Sequence, residues 1–373
     1  MGWKVARAGT ALALLVAAGV ACGGGSSTAQ QTGATTSAGA SVDPASITGT
    51  IRLLSYSDGF DPAYLKDFHA QYPNITIESA SMGSNEEAIA KIQAGFQTDM
   101  VNGCVDEGTL EMDEKGIYAP LDQSRLTYWN DLFPSMQQLP GVQYNGQIYM
   151  VPVDAGTSGI VYNADVVTTP PDSWTALFDP QWAGRTGMED IAVTAMMIGA
   201  LANGITDPIN MDDAQIQQVK DYLIAHKSQF RTFWHGDSEV KSLFKSGEIV
   251  ISSGYPDTAN ALQGEGVNAK FAVAKEGQFL WACGYGITPN IDPANLDAAY
   301  ALLNYYMSPQ AELFEAREWS YQVANQKVLD IAPQSLIDSA SLDAPFHLDN
   351  AIPASPPANR AAWVAAWTEV KAS

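Results

Sequence analysis

The stretch from Lys275 to Pro289, KEGQFLWACGYGITP, concentrates side chains able to meet a ligand. An acidic turn, Glu276-Gly277, leads into an apolar run that carries Trp281 and Cys283. Gly284 and Gly286 then break the wall of side chains. The run predicts a buried strand, with its glycines marking a bulge or a close backbone approach. The indole of Trp281 offers a flat apolar face that stacks on a ligand as readily as it fills a core.

The side chains usual in catalysis are sparse. Four histidines, His69, His226, His235 and His347, show neither HExxH spacing nor a cysteine partner for zinc. No GxSxG elbow and no GxxxxGK(S/T) loop occurs. Glu189-Asp190 is an acidic pair, but carboxylates adjacent in sequence do not form an acid/base pair across a substrate. The residues therefore predict a protein that is not an enzyme and has no cofactor or metal. Beyond Cys22, only Cys104 and Cys283 remain. Two cysteines in an exported chain favour a disulfide over a metal site.

Export is read from the first residues. Lys4 and Arg7 precede an apolar run, Ala11 to Val20, too short to span a bilayer permanently and closed by small residues. Gly19-Val20-Ala21-Cys22 resembles a bacterial lipoprotein cleavage site, which makes residues 1–22 a signal peptide and Cys22 the lipid-bearing first residue. Residues 23–47 are Gly, Ser, Thr, Ala and Gln for the most part and predict a flexible tether. Membrane contact then runs through the lipid alone. The balance of 41 acidic against 19 basic residues, a net charge of -22, argues against nucleic acid as a partner and is compatible with a cationic ligand.

The elements that must position these residues alternate between strand and helix. Strands are predicted at Ile51–Tyr56, Ile75–Met82 and 99–104. Helices are predicted at Pro62–Gln71, from the capping box at Ser84 through Phe96, and at Asp106–Lys115. This order implies an α/β fold with a mostly parallel sheet flanked by helices. Ligands in such sheets sit beyond the carboxyl ends of the strands, which places Tyr56, Ser57, Asp58, Gly103 and Cys104 at one rim. Tyr144-Asn145-Gly146 predicts a tight turn, and Pro152, Gly156 and Gly159 predict a crossing between domains. Helices follow near 193–202, 212–226 and 296–306, and Ser246 to Val250 predicts the start of a strand.

Four segments, taken in order, resemble the extracellular solute-binding proteins of ABC importers, most of all the spermidine/putrescine-binding family. They are Trp174 to Arg185 (WxxLFDPxWxGR), Val151 to Asn163 (VPVDAGTSGIVYN), Ser246 to Val250 (SGEIV) and Lys275 to Trp281. The resemblance implies a two-lobed periplasmic-binding-protein fold (type II) with a hinge. One lobe takes residues 48–154 plus 284–330, and the other takes 155–283 plus 331–373. It implies a monomer that closes on a small polyamine-like cation and delivers it to an ABC permease in the cytoplasmic membrane. An amino-acid-like or other amine-bearing solute is the alternative, for which Arg360 is a candidate cation if it does not simply begin a surface helix.

The family's aromatic box falls on Tyr56, Tyr255, Trp281 and Tyr321, and one of its carboxylates falls on Asp190. Two further acid positions fall on Val193 and Cys283, leaving Asp58, Asp106 or Asp154 as substitutes. With Cys104 on the cleft wall of the family, the resemblance also implies that a Cys104–Cys283 disulfide fixes that wall.

Overall fold

A computed structural model describes residues 43–343 and 351–373. The signal segment, Cys22 and the tether up to residue 42 lie outside the described residues, as do 344–350 of the expected second lobe. The last tether positions, 43–47, form a 3-10 turn capped by Asp43, with Asn74 bonded to the Ala45 carbonyl at 2.8 Å.

The first elements are β1 (Gly49–Ser55), α1 (Lys66–Gln71), β2 (Ile75–Ser81), α2 (Asn85–Gln93), β3 (Met100–Cys104) and α3 (Thr109–Glu114). Ser84 begins α2 by accepting from the Glu87 amide at 3.2 Å, an ordinary N-cap. A short α4 (Pro134–Gln137) leads to the hairpin β4 (Gln143–Tyr144) and β5 (Gln147–Ile148). Its turn holds Asn145 and Gly146 at φ 50° and 78°, the left-handed pair that a two-residue hairpin needs.

The long β6 (Val151–Asn163) then carries the chain into a second set of elements. These are β7 (Thr186–Glu189), α5 (Ala192–Ala202), α6 (Asp213–His226), β8 (Phe230–Trp234), α7 (Asp237–Ser246), β9 (Ile251–Gly254), α8 (Pro256–Gly264) and β10 (Ala269–Ala272). The SGEIV run does not start a strand as expected. Gly247 ends α7 in the left-handed conformation at φ 72°, and β9 begins only at Ile251.

The return strand β11 (Gln278–Ile287) is followed by α9 (Leu296–Tyr306), α10 (Pro309–Glu318), β12 (Gln322–Val323) and α11 (Gln334–Ala340). The last elements are β13 (Ala351–Ile352) and α12 (Arg360–Ala372).

One mixed sheet runs β2-β1-β3-β11-β6-β9-β7-β8. Its two ends are parallel wings, β2-β1-β3 and β9-β7-β8, while β11 and β6 between them pair antiparallel. Among the described residues the two largest hydrophobic cores lie on either side of this centre. The first gathers Leu53, Phe68, Met100, Met112 and Tyr306, and the second gathers Trp174, Met188, Met196, Trp363 and Trp367. Both central strands serve both cores: Ala155 and Ala282 belong to the first, Ile160 and Phe279 to the second. The chain thus crosses within β11 near Phe279, earlier than the expected 283/284 boundary. Residues expected to open the second lobe at 331 instead pack in a separate small cluster, where Ile337 and Leu342 meet Ala316, Val323 and Val328 of the expected first lobe.

The WxxLFDPxWxGR run explains the start of β11. Trp174 stacks on Phe279 at 4.8 Å and donates its indole N–H to the Gly277 carbonyl at 2.8 Å. Glu276 accepts from the Ser173 hydroxyl at 2.5 Å and the Trp174 amide at 3.2 Å. Within β11, a Cβ on Gly284 would sit 2.0 Å from the Val151 carbonyl oxygen, so only glycine permits this approach, and the register with β6 shifts there.

Candidate functional site

The carboxyl ends of the parallel strands from both wings face a cavity of about 780 Å³. Trp281 forms its floor. The indole lies over its cross-strand partner Gly156, where a Cβ would meet ring atom Cζ2 at 2.4 Å. Tyr255 and Tyr321 stand almost perpendicular to this floor, at 86° and 83°, with ring centres 6.1 and 4.9 Å away. The result is an aromatic trough whose open indole face suits an apolar chain or a cation.

Each tyrosine of the trough holds a carboxylate. The Tyr56 hydroxyl donates to both oxygens of Glu107 at 2.9 Å. Tyr255 donates to Glu189 at 2.5 Å, and Tyr321 to Asp58 at 3.2 Å. Asp106, Asp154 and Asp257 add further acids to the lining, and each has an oxygen without a hydrogen-bond partner. Ser57 lines the cavity as well.

The electrostatics follow from burial. Desolvation raises Asp58, lifts Asp106 to about 7, and lifts Asp154, Glu189 and Asp257 to about 8. Glu107 is pushed well up by burial and then by repulsion from Glu86 and Asp106. Basic side chains on the wall are paired locally: Lys91 with Glu87 at 2.6 Å, Lys241 with Asp237, and His235 with Asp190 at 3.3 Å. The cavity is therefore an acid-lined trough, and among the described residues no basic side chain forms an ion pair with its inner carboxylates. Once ionised, such carboxylates are a good complement for a cation. Among the described residues no group of three His, Cys, Asp or Glu side chains could hold a metal.

Of the residues singled out in the sequence, Tyr56, Ser57, Asp58, Cys104, Tyr255, Trp281, Cys283 and Tyr321 all line this cavity. Asp190 does not. Its carboxylate turns away to accept from the Trp367 indole at 2.6 Å and the Lys371 ammonium at 2.9 Å. Glu189, one residue earlier at the end of β7, faces the cleft instead. A one-residue slip in matching the motif separates the two. Val193 presents an apolar wall with Ile191, Met197 and Phe279. Cys104 and Cys283 are cross-strand partners on β3 and β11 and form a disulfide with a sulfur–sulfur distance of 2.01 Å.

Arg360 begins α12, but it is neither a surface residue nor in the cleft. It pairs with Glu86 at 2.8 Å and with Glu111, and donates to the Glu107 carbonyl behind the site.

Glu107, Asp257 and Glu315 were not anticipated. The signal for the first two was present, since Asp106-Glu107 and Pro256-Asp257 directly follow the C-terminal ends of β3 and β9. Glu315 projects from a helix and carries no such mark.

Residues 63–339 match the model of the bacterial extracellular solute-binding protein family. A putrescine/agmatine-binding protein of Pseudomonas aeruginosa is 22% identical over 315 residues, 79% of this chain and 83% of its own. Among solved structures, a putative spermidine/putrescine ABC transporter protein from Listeria monocytogenes superposes with a TM-score of 0.76 at 23% identity, covering 87% of this chain and 99% of that one. The PBP MotA from A. tumefaciens, in complex with glucopine, superposes with a TM-score of 0.69 at 16% identity, covering 87% and 100%. The shared architecture is the two-lobed α/β fold.

Proposed function

The chain belongs to the bacterial extracellular solute-binding protein family, and on that premise we propose that it captures a small polyamine-like cation between its lobes and hands it to an ABC permease. The observation that carries this reading is the trough itself. Trp281 is walled by Tyr255 and Tyr321, and carboxylates with unpartnered oxygens stand around it. Methylene groups pack on the rings, ammonium groups favour aromatic faces, and charge-assisted hydrogen bonds to the acids fix the ends. Asp106, Asp154 and Glu189 take the place of the acids that the motif would put at 190, 193 and 283.

In this reading the mature chain begins at a lipid-bearing Cys22, the tether holds the body at the outer face of the cytoplasmic membrane, and the monomer opens and closes about β6 and β11. The relatives named for putrescine and spermidine support the ligand class. One observation favours an amino-acid-like solute: the indole N–H of Trp281 has no acceptor, and a carboxylate or carbonyl on the ligand would satisfy it.

A thermal-shift screen of putrescine, spermidine, other amines and amino acids tests both. A ligand at about 100 times its Kd adds about 2.7 kcal/mol to stability. A shift with polyamines that disappears in Trp281→Ala supports the proposal. A response confined to amino acids replaces it with the alternative.

A further inference from the structure

We propose that Arg360 is a latch between the lobes, a positioning residue that docks from the second lobe into an acidic socket on the first and holds the cleft shut around its ligand. This deepens the capture reading and rests on the opening and closing of the lobes. Arg360 stands at the first position of α12, whose Trp363, Trp367 and Val370 are buried in the second core. Asn359, just before it, donates to the carbonyl of Met211 in the same core at 3.5 Å. The base of the arginine is thus fixed to the second lobe. Its guanidinium reaches the first: Glu86 of α2 at 2.8 Å, Glu111 of α3, and the Glu107 carbonyl between β3 and α3. Glu86 lies in the first turn of α2, and Glu107 in the turn after the carboxyl end of β3. The socket therefore belongs to the end of the first lobe that faces the cleft, one layer beneath the cavity lining. Parting of the lobes about β6 and β11 withdraws Arg360 from it.

Local helix stability does not account for an arginine at this position. A helix N-terminus favours acids, and α12 has none in its first turn. The socket, by contrast, fits the side chain. Arg360 is 11% exposed and Glu86 19%. Gly108 leaves the room, since a Cβ there would come within 3.3 Å of Arg360 Nη2 and 3.1 Å of the Asn85 Cβ. The contact with Glu86 is one of charge, without a directed hydrogen bond. Asn260 and Ser320, 3.0 Å apart, also join the lobes, but that bond is exposed and neutral. Docking reaches the cleft as well. Glu107 turns its carboxylate to Tyr56 in the trough while its carbonyl holds Arg360. Burial raises Asp106, Glu86 raises it further, and Arg360 opposes this, so the docked latch favours the ionised acid that a cation needs.

The test combines small-angle X-ray scattering, empty and with putrescine, and stopped-flow putrescine kinetics, for wild type, Arg360→Gln, Glu86→Gln and the double variant. Empty Arg360→Gln is expected to have a larger radius of gyration than empty wild type, with both equally compact at saturation. Its putrescine dissociation rate is expected to rise about tenfold, with the association rate within about twofold. Glu86→Gln is expected to shift both readouts the same way. The double variant should add little to Arg360→Gln alone, as coupled partners do.

An Arg360→Gln protein that melts lower but keeps wild-type scattering and dissociation overturns the latch and leaves a structural strut. Additive effects of the two substitutions overturn it too. If Arg360→Gln does not fold, Glu86→Gln on the other lobe carries the same readouts, and wild-type values there overturn the latch. Wild type that binds no putrescine removes the amine-capture reading, while the scattering of the empty proteins still decides the latch.

Discussion

Glu189 and Asp190 are adjacent carboxylates sent to opposite faces at the end of β7. Glu189 meets Tyr255 in the cleft, while Asp190 ties α12 to the second wing through Trp367 and Lys371. Their conservative variants should separate accordingly. Glu189→Gln is expected to weaken ligand binding about tenfold with little loss of empty-state stability, since a charge-assisted hydrogen bond contributes about 1.5–3 kcal/mol. Asp190→Asn is expected to leave affinity within about twofold and to lower stability by about 1–3 kcal/mol, read by calorimetry and chemical denaturation. Gly156→Ala should act on the trough indirectly. Its Cβ would collide with the indole of Trp281, so overpacking of about 1–3 kcal/mol and a loss of ligand affinity should appear together. The family resemblance put the aromatic box on Tyr56, Tyr255, Trp281 and Tyr321, and all four line the cavity. It misplaced the acid because strands alternate faces, so a slip of one residue exchanges a cleft position for a buried ion pair.

Among the elements, β3 and β11 owe their alignment to more than the ladder. The Cys104–Cys283 disulfide joins residues 179 apart in sequence. Replacing both cysteines by alanine should cost about 2–5 kcal/mol, measurable as a lower melting temperature, and should loosen the strand that carries Trp281. The strands of the first wing and the helices α2, α5, α6 and α9 were legible from periodicity and caps, as with Ser84 at α2 and Asn145-Gly146 in the hairpin, whereas β7, β8, α7, α8 and α10 were not among the expected elements. The SGEIV segment was not legible. Ser246-Gly247 reads locally as a break before an apolar run, and only the tertiary placement of α7 shows that Gly247 closes a helix. The side to which residues 331–343 belong was equally illegible, because a few apolar residues at helical spacing fit either core.

For the whole molecule, the buried acids link stability and capture to pH in opposite directions. Burial holds Asp154, Glu189 and Asp257 at about 8, whereas carboxylates of the unfolded chain titrate near 4. Between about pH 4 and pH 8 the folded, empty protein therefore binds more protons than the unfolded chain. Its stability is greatest at the acid end and is lost as pH rises towards 8. The empty protein should melt several degrees higher near pH 5 than near pH 8. Putrescine needs those carboxylates ionised, so its affinity should rise over the same interval with release of protons, seen as a dependence of the titration heat on the buffer.

The position of α12 has a further consequence, for the cooperativity of folding. Trp363, Ala366, Trp367 and Val370 are buried in the second core, where α12 packs on α5 and α6 from far earlier in the chain. That core therefore closes through non-local contacts, and these form only after a long loop has been closed, so its completion is expected to be slow and all-or-none.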